Sequence, residues 1–225
     1  MRHKKLGTII LAGLLLVACG DDEDNTTPDS QNNQTPESNS EFMNNNLAIT
    51  YQNATDTAKA VLGTQETLRD KSGDWKLPKG VLALDLGYHK SVKDGITRHT
   101  YSTTAYSHKH QVTGITETFR DFTLTVIDNP NDASETWEIN GTYGNSKLNG
   151  AVVIKTLHPF VKTGKYPYEG TLNITGLNNS SVKVMAVDEV TVRLEVDEDG
   201  DGAKDKIIDV VWGSLVDAPD NADIP

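Results

Sequence analysis

From Gly80 onward the chain alternates apolar and polar residues with a period of two, and this pattern constrains the fold more than any other feature. Successive side chains of a β-strand point to opposite faces, so each alternating segment predicts a strand with one face in a core. The clearest segments are FTLTVID, with apolar Phe122, Leu124 and Val126, and VDEVTVRLEV, with apolar Val190, Val192, Leu194 and Val196.

Turn-forming residues divide this region at short intervals. They occur at Asp94-Gly95, 128–132, Gly144-Asn145, 176–180, Asp188-Glu189 and the acidic loop 197–205. The connections are too short for the crossovers that parallel strands need. We therefore predict a mainly β domain, an antiparallel meander of about nine strands that forms a curved sheet, an open barrel or a sandwich. A half barrel that resembles lipid carriers is one such arrangement, and a likeness of fold says little about function.

One helix is predicted ahead of the strands, in NATDTAKAVLGTQETLR at 53–69. Asn53 and Thr55 are both suitable N-caps, and Gly63 weakens the helix. The apolar positions near helical spacing are Ala54, Ala58, Val61, Leu62 and Leu68. This amphipathic pattern favours a helix that covers part of the sheet and has no site of its own.

The chain begins MRHKKLGTIILAGLLLVACG, a basic start followed by an apolar segment from Leu6 to Val17. This is the layout of a secretory signal, and the apolar segment is too short to span a bilayer comfortably. LVAC at 16–19 resembles the lipobox of bacterial lipoproteins, an aliphatic residue, two further small or aliphatic residues and a cysteine. The resemblance implies a signal peptide at 1–18 and a mature N-terminal Cys19 with a diacylglyceryl thioether and an amide-linked acyl chain.

Cys19 is the single cysteine, so no disulfide can form within the chain, and acylation accounts for its presence. Several acyl chains anchor a protein stably, because each buried methylene contributes about 0.8 kcal/mol. The alternative is ordinary cleavage that discards Cys19 with the leader.

Residues 20–45 contain seven acidic residues, no lysine or arginine and almost no apolar side chains. Such a segment cannot bury enough surface to offset its ordering entropy, so 19–45 is predicted to be a lipidated cysteine followed by a disordered acidic tether. The acidic run resembles the surface-export tether of some Bacteroidetes lipoproteins. Gly20 after the cysteine, by resemblance to enteric sorting rules, disfavours inner-membrane retention. We expect the bacterial outer membrane, on either face, with a single β-rich domain at 46–216 and an acidic tail at 217–225.

The formal net charge of −11 becomes −14 once residues 1–18 are removed, because that leader has three basic residues and no acid. This charge repels nucleic acid phosphates and anionic membrane surfaces. We expect membrane attachment through the Cys19 lipid, an unidentified envelope partner or ligand, and no nucleic acid.

The acidic loop, DEDGDGAKD at 197–205, has the spacing of a metal-binding loop. Asp197, Asp199, Asp201 and Asp205 occupy positions 1, 3, 5 and 9 of a DxDxDGxxD pattern. Alternate side chains of a tight loop converge, and the carbonyl of Ala203 can add an oxygen, so hard oxygen ligands of this number favour calcium. The twelfth-position acid of an EF-hand is replaced by Ile208, and the flanks alternate as strands.

This loop resembles the calcium loops on strand hairpins of integrin-type propeller repeats. The resemblance covers nine residues, without a second copy, and implies carboxylate ligands from Asp197, Asp199, Asp201 and Asp205 and a carbonyl ligand from Ala203. The alternative is an acidic hairpin kept soluble by its charge. Four aspartates repel one another, and Lys204 and Lys206 are expected to neutralise them only in part, so we favour calcium.

Residues 168–212 resemble the C-terminal part of uncharacterised bacterial lipoproteins that have the same hairpin order and the same acidic DxDGDGxxD loop before a strand ending in tryptophan. The resemblance implies a shared fold and no established activity.

Catalytic patterns are weak. His108 and His110 have the spacing of two metal ligands on one strand face, without an evident third ligand. His158 is interpreted as a loop residue, and Glu117 and Glu138 as acids on a solvated sheet face. No nucleophile elbow, HExxH helix, P-loop or CxxC is present, which disfavours an enzyme.

Three interpretations follow. We prefer a membrane-anchored envelope lipoprotein whose calcium-stabilised β module acts in binding or structure. The alternatives are a carrier or chaperone for a lipid or other apolar ligand, and an unrecognised glycan-active enzyme. The connection 160–168 is the candidate recognition loop, through Tyr166 and Tyr168. The other aromatic residues on strands are more often core residues than binding-site residues.

Overall fold

The computed structural model describes residues 46–67, 86–109 and 113–216. They belong to one structural unit, Thr35–Pro225. The predicted signal peptide, Cys19, the tether and the acidic tail lie outside the described residues, as do Leu68 and His110.

The described chain forms one nine-stranded sheet in which the strands follow chain order. The strands are β1 (Gly87–Lys93), β2 (Ile96–Lys109), β3 (Thr116–Asn129), β4 (Ser134–Asn145), β5 (Gly150–Lys162), β6 (Glu169–Thr175), β7 (Ser181–Ala186), β8 (Thr191–Asp197) and β9 (Lys206–Val211). Every neighbouring pair is antiparallel. The predicted antiparallel meander is confirmed, and the sheet is open because β1 and β9 do not pair with each other.

The sheet is strongly curved, so that a side chain of β5 contacts the residue that follows β9. Phe160 on β5 packs edge-on against Trp212, directly after β9, with ring centroids 5.9 Å apart. Four strand spacings separate β5 from β9, which in a flat sheet is about 19 Å. The contact therefore requires the inner face to fold towards itself, and inward-facing apolar side chains of β2 to β8 join one buried cluster.

Two helices lie against this sheet, α1 (Ala54–Thr67) and α2 (Trp212–Val216). The predicted helix is confirmed, and of the two suitable N-caps the structure uses Asn53: its carbonyl accepts the N–H of Thr57 at 2.8 Å, while its side chain accepts the N–H of Thr50 at 2.9 Å. Helix α1 packs on α2 and on β7 and β8. Its predicted apolar positions within the described residues are fully buried: Ala54, Ala58, Val61 and Leu62.

The alternating pattern identifies the inner face correctly, with one exception. Val192, Leu194 and Val196 are fully buried, whereas Val190 is 62% exposed. The Asp188 carboxylate accepts the N–H of Val190 at 2.8 Å and of Thr191 at 2.7 Å, which holds Val190 in the turn before β8. The prediction that Val190 belongs to the core face was wrong because this turn extends through it.

Two other predicted loop positions lie within strands. Gly144-Asn145 continues β4, since Asn145 pairs with Gly150, and the turn falls at 146–149. His158 lies inside β5, where it pairs with Thr171. The interpretation of His158 as a loop residue was wrong, because register shifts let β5 continue past it to Lys162.

Gly170 is required by the packing of Phe160, and this generates a first prediction. A Cβ at Gly170 would lie 2.5 Å from the Phe160 ring, and the backbone φ of +136° disfavours any side chain. Gly170→Ala should lower the free energy of unfolding by about 1–3 kcal/mol, since the fully buried Phe160 would have to move. Chemical denaturation measures the change.

Gly164→Ala is the matched control, because a Cβ there meets nothing within 4 Å. It should alter stability by less than about 0.5 kcal/mol. Equal denaturation midpoints for the two variants would contradict the proposed role of Gly170.

Candidate functional site

The acidic loop connects β8 to β9 as a hairpin, as predicted. The Asp205 N–H donates to the carbonyl of Val196 at 2.8 Å and closes the loop. Gly200 and Gly202 have φ angles of +76° and +89°, which glycine adopts without steric cost. These two glycines allow the chain to reverse direction within the short connection between β8 and β9.

Three of the four predicted carboxylate ligands come together in this loop. Oxygen atoms of Asp197, Asp199 and Asp205 all lie within 4.8 Å of one another, an arrangement that can hold a metal ion. The Asp201 carboxylate instead accepts the N–H of Ala203 at 2.7 Å. That Asp201 and the carbonyl of Ala203 also bind the ion therefore stays a prediction.

Backbone N–H groups of the loop position these carboxylates. The two oxygens of Asp197 accept from Gly200 at 2.8 Å and from Gly202 at 2.9 Å. Asp205 Oδ2 accepts from Glu198 at 2.8 Å. Asp197 is almost buried, whereas Asp199 and Asp205 are exposed. The group of carboxylates is therefore anchored at Asp197 and open to solvent at Asp199 and Asp205. Hard oxygen donors in this arrangement fit a divalent cation.

The loop lysine Lys204 pairs with a glutamate on β8. Lys204 donates to Glu195 at 2.8 Å, and Lys183 reaches the other oxygen of Glu195 at 3.3 Å. This pairing with Glu195 of β8 agrees with the expectation that lysine neutralises the loop aspartates only in part.

The loop is packed against neighbouring chain segments at this end of the sheet. A Cβ at Gly200 would lie 2.1 Å from the carbonyl oxygen of Asn178, in the β6–β7 connection. Glu198 accepts a hydrogen bond from the N–H of Tyr51, just before α1. The loop thus joins the last hairpin to the segment through which the chain enters the domain.

Glu195 supplies a pH-dependent prediction. The hydrogen bonds from Lys204 and then Lys183 hold the pKa of Glu195 below its ordinary value of 4.5. A depressed carboxyl pKa contributes stability that is present above the ordinary value and is lost as the pH falls through the depressed value. Glu195→Gln should therefore cost about 0.5–1 kcal/mol at neutral pH and progressively less in acid below pH 4.5.

Denaturant unfolding across this pH range measures the difference, with Glu189→Gln as a control of equal charge change at an exposed turn residue. A cost that stays constant on acidification would contradict the ion-paired role of Glu195.

The candidate recognition loop is shorter than predicted, since β5 ends at Lys162 and β6 begins at Glu169. Phe160 is in the core and not in the loop. Tyr166 packs against the core, with Lys165 Nζ 4.8 Å from its ring centroid. Tyr168 is 39% exposed. Recognition by these two tyrosines stays a prediction, and Tyr168 presents the larger surface.

Glu117 and Glu138 lie on opposite faces of the sheet and do not form a pair. Glu117 is buried and accepts a hydrogen bond from the Tyr143 hydroxyl, which in turn accepts from Asn145 Nδ2 at 2.8 Å. Burial, together with the charge of Glu117, raises the pKa of Tyr143 above its ordinary value. Glu138 is half-buried on the outer face.

The interpretation of Glu117 as a solvated residue was wrong because of a β-bulge. Pairing of β3 with β4 shifts register between Arg120 and Thr123, and Asp121 there has a φ of +47°. The bulge places both Phe119 and Phe122 on the inner face, which reverses the alternation before it and turns Glu117 inwards. His108 lies on β2, and its predicted metal partner His110 is outside the described residues.

Comparisons with protein-family models, curated proteins and solved structures found no match to this chain. The helices that the structure describes are too short or too polar to cross a membrane.

Proposed function

We propose that this protein is a lipid-anchored lipoprotein of the bacterial outer membrane whose β domain binds calcium at the acidic loop and serves in binding or envelope structure. The observation that carries the proposal is the convergence of the carboxylates of Asp197, Asp199 and Asp205. A protein without a cation at this position keeps three like charges in close contact, which is unfavourable.

Calcium is favoured over other metals by the chemistry of these donors. The group consists of carboxylate oxygens and contains no histidine or cysteine, the ligands that zinc and copper prefer. Calcium also tolerates an irregular, partly solvated oxygen shell better than magnesium does. Because Ile208 replaces the twelfth-position acid, we expect a dissociation constant of about 10⁻⁴–10⁻³ M, as in extracellular calcium modules.

The bound cation would stabilise one end of the domain. Asp197 belongs to β8 and Asp205 immediately precedes β9, so a shared ion ties the two strands of the last hairpin together. Glu198 of the same loop holds the N–H of Tyr51. Calcium would thereby also stabilise the segment that connects the domain to the tether.

The proposed anchor rests on the lipobox at 16–19 and the lone Cys19. Residues 20–45 contain seven acids and no lysine or arginine, and this negative charge favours separation of the domain from an anionic bilayer surface. The carrier alternative needs an uncovered apolar face, and the inner face that the structure describes is instead buried in one cluster.

Calcium should raise the melting temperature of the domain, and chelator should remove the increase. Binding to the folded state alone adds about 2.7 kcal/mol of stability at a calcium concentration 100 times the dissociation constant. Asp199→Asn and Asp205→Asn should abolish the calcium-dependent increase. In chelator both variants should melt no lower than the unchanged protein, because each removes a repelling charge.

Glu189→Gln, which removes an exposed acid outside the loop, should keep the full response to calcium. If the unchanged protein melts at the same temperature with calcium and with chelator, the loop is a turn without a metal function.

The lipid anchor is tested separately by Cys19→Ser. The variant should leave the membrane fraction, because no acyl chain can be attached. Fractionation of cells that express either form measures this. Unchanged retention of Cys19→Ser in the membrane fraction would refute the anchor and leave the calcium proposal standing.

A further inference from the structure

A polar pocket lies at the end of the sheet opposite the acidic loop. The β1–β2, β3–β4 and β5–β6 connections all turn at this end and border an open pocket of about 390 Å³. The lining residues that matter here are Thr97, Asp128, Asn129, Ser134, Glu135 and Lys162. This volume is at the lower end of the range for small-molecule sites.

Strand register places four of these side chains in one row across β2 to β5. Thr97 pairs with Asp128, Asp128 with Glu135, and Glu135 with Lys162. Two residues further along their strands, Val126, Trp137 and Phe160 are buried in the core. The row therefore lies on the inner face, as a charged rim directly above the aromatic core.

Asp128 is held in place from behind by a buried histidine. His99 Nε2 lies 3.2 Å from Asp128 Oδ2, and the Tyr88 hydroxyl lies 2.8 Å from His99 Nδ1. His99 thus bridges the Tyr88 hydroxyl and the Asp128 carboxylate through its two ring nitrogens. The His99 side chain is 8% exposed and that of Asp128 is 43% exposed. A rigid inner pair thus orients a carboxylate that faces the cavity.

Glu135 stands directly opposite Asp128 and is paired on its far side with Lys162, at 3.0 Å. Opposed residues of antiparallel strands have Cβ atoms about 5 Å apart, and like charges so placed destabilise the sheet. The four residues of the row carry a formal net charge of −1, from Asp128 and Glu135 against Lys162. A hydrogen-bond donor with positive charge between the two carboxylates would relieve the repulsion.

We propose that this pocket binds a small organic molecule through a primary ammonium group, held by Asp128 and Glu135. Ammonium N–H groups form charge-assisted hydrogen bonds with carboxylates, and a quaternary ammonium has no such donor. The residues described around the cavity include no aromatic ring, so the aromatic cage that suits quaternary ammonium groups is missing there. Anionic molecules are disfavoured by the charge of the row and of the whole chain.

Calorimetric titration with three probes of similar size tests the chemistry. Ethanolamine should bind saturably, choline should bind about tenfold more weakly or worse, and ethylene glycol should not bind. The primary ammonium group could belong to a small free amine or to a lysine side chain of a peptide. Nα-acetyl-lysine N-methylamide, which mimics a peptide lysine, is therefore titrated in parallel with ethanolamine, and the tighter binder identifies the source. Absence of saturable binding by both primary amines overturns the proposal, as does equal binding of choline.

Two variants with opposite expected effects locate the site. Asp128→Asn should weaken ethanolamine binding about tenfold or more, because a charge-assisted hydrogen bond is lost. Lys162→Gln removes the competing cation and should leave binding unchanged or tighter. Melting curves establish that both variants are folded. Unchanged affinity in folded Asp128→Asn, or weaker affinity in Lys162→Gln, overturns the assignment, and neither result bears on the calcium loop.

Discussion

Phe160 keeps the curved sheet folded on itself. Its ring stacks on Trp137 of the neighbouring strand, with centroids 4.3 Å apart, and meets Trp212 edge-on beyond the last strand. Aromatic pairs of this kind contribute about 0.5–1.5 kcal/mol each beyond the area they bury. Because Trp212 also begins α2, which packs on α1, the same contact connects the far strands to the helical layer. The contact is thus one of those that hold the inner face of the open sheet around its core.

The meander decides where the polar groups meet. In a chain-order antiparallel sheet, successive connections fall at alternate ends. The β8–β9 acidic loop therefore shares an end with the β6–β7 connection and with the entering segment near Tyr51. The row of Asp128, Glu135 and Lys162 lies at the other end. The two sites therefore lie at opposite ends of the sheet and share no residue.

Period-two alternation predicted the strands and the inner face of β8, and the short connections between turn residues predicted the antiparallel order. It failed where a local hydrogen-bond pattern changed the register. The Asp188 carboxylate extended a turn through Val190, and the bulge near Asp121 turned Glu117 into the core. The bulge could not be read from the sequence, because it depends on how β3 pairs with β4, whereas the turn at Asp188 is local and was underestimated by only two residues.

The two candidate sites also differ in how far the sequence could predict them. The acidic loop could be predicted because its carboxylates are close in sequence, although the pairing of Lys204 with Glu195 could not. The row across β2 to β5 was invisible, because its members are up to 65 residues apart and meet only through the register of three strand pairs. The sequence gives one local hint: these charged residues lie at strand ends, two positions from an apolar residue that the alternation assigns to the core.

Direct titration of calcium into the protein tests the central claim most plainly. We predict one ion bound per chain, with a dissociation constant of about 10⁻⁴–10⁻³ M, and loss of that binding in both Asp199→Asn and Asp205→Asn. No saturable binding, or binding that persists unchanged in the two variants, would contradict it.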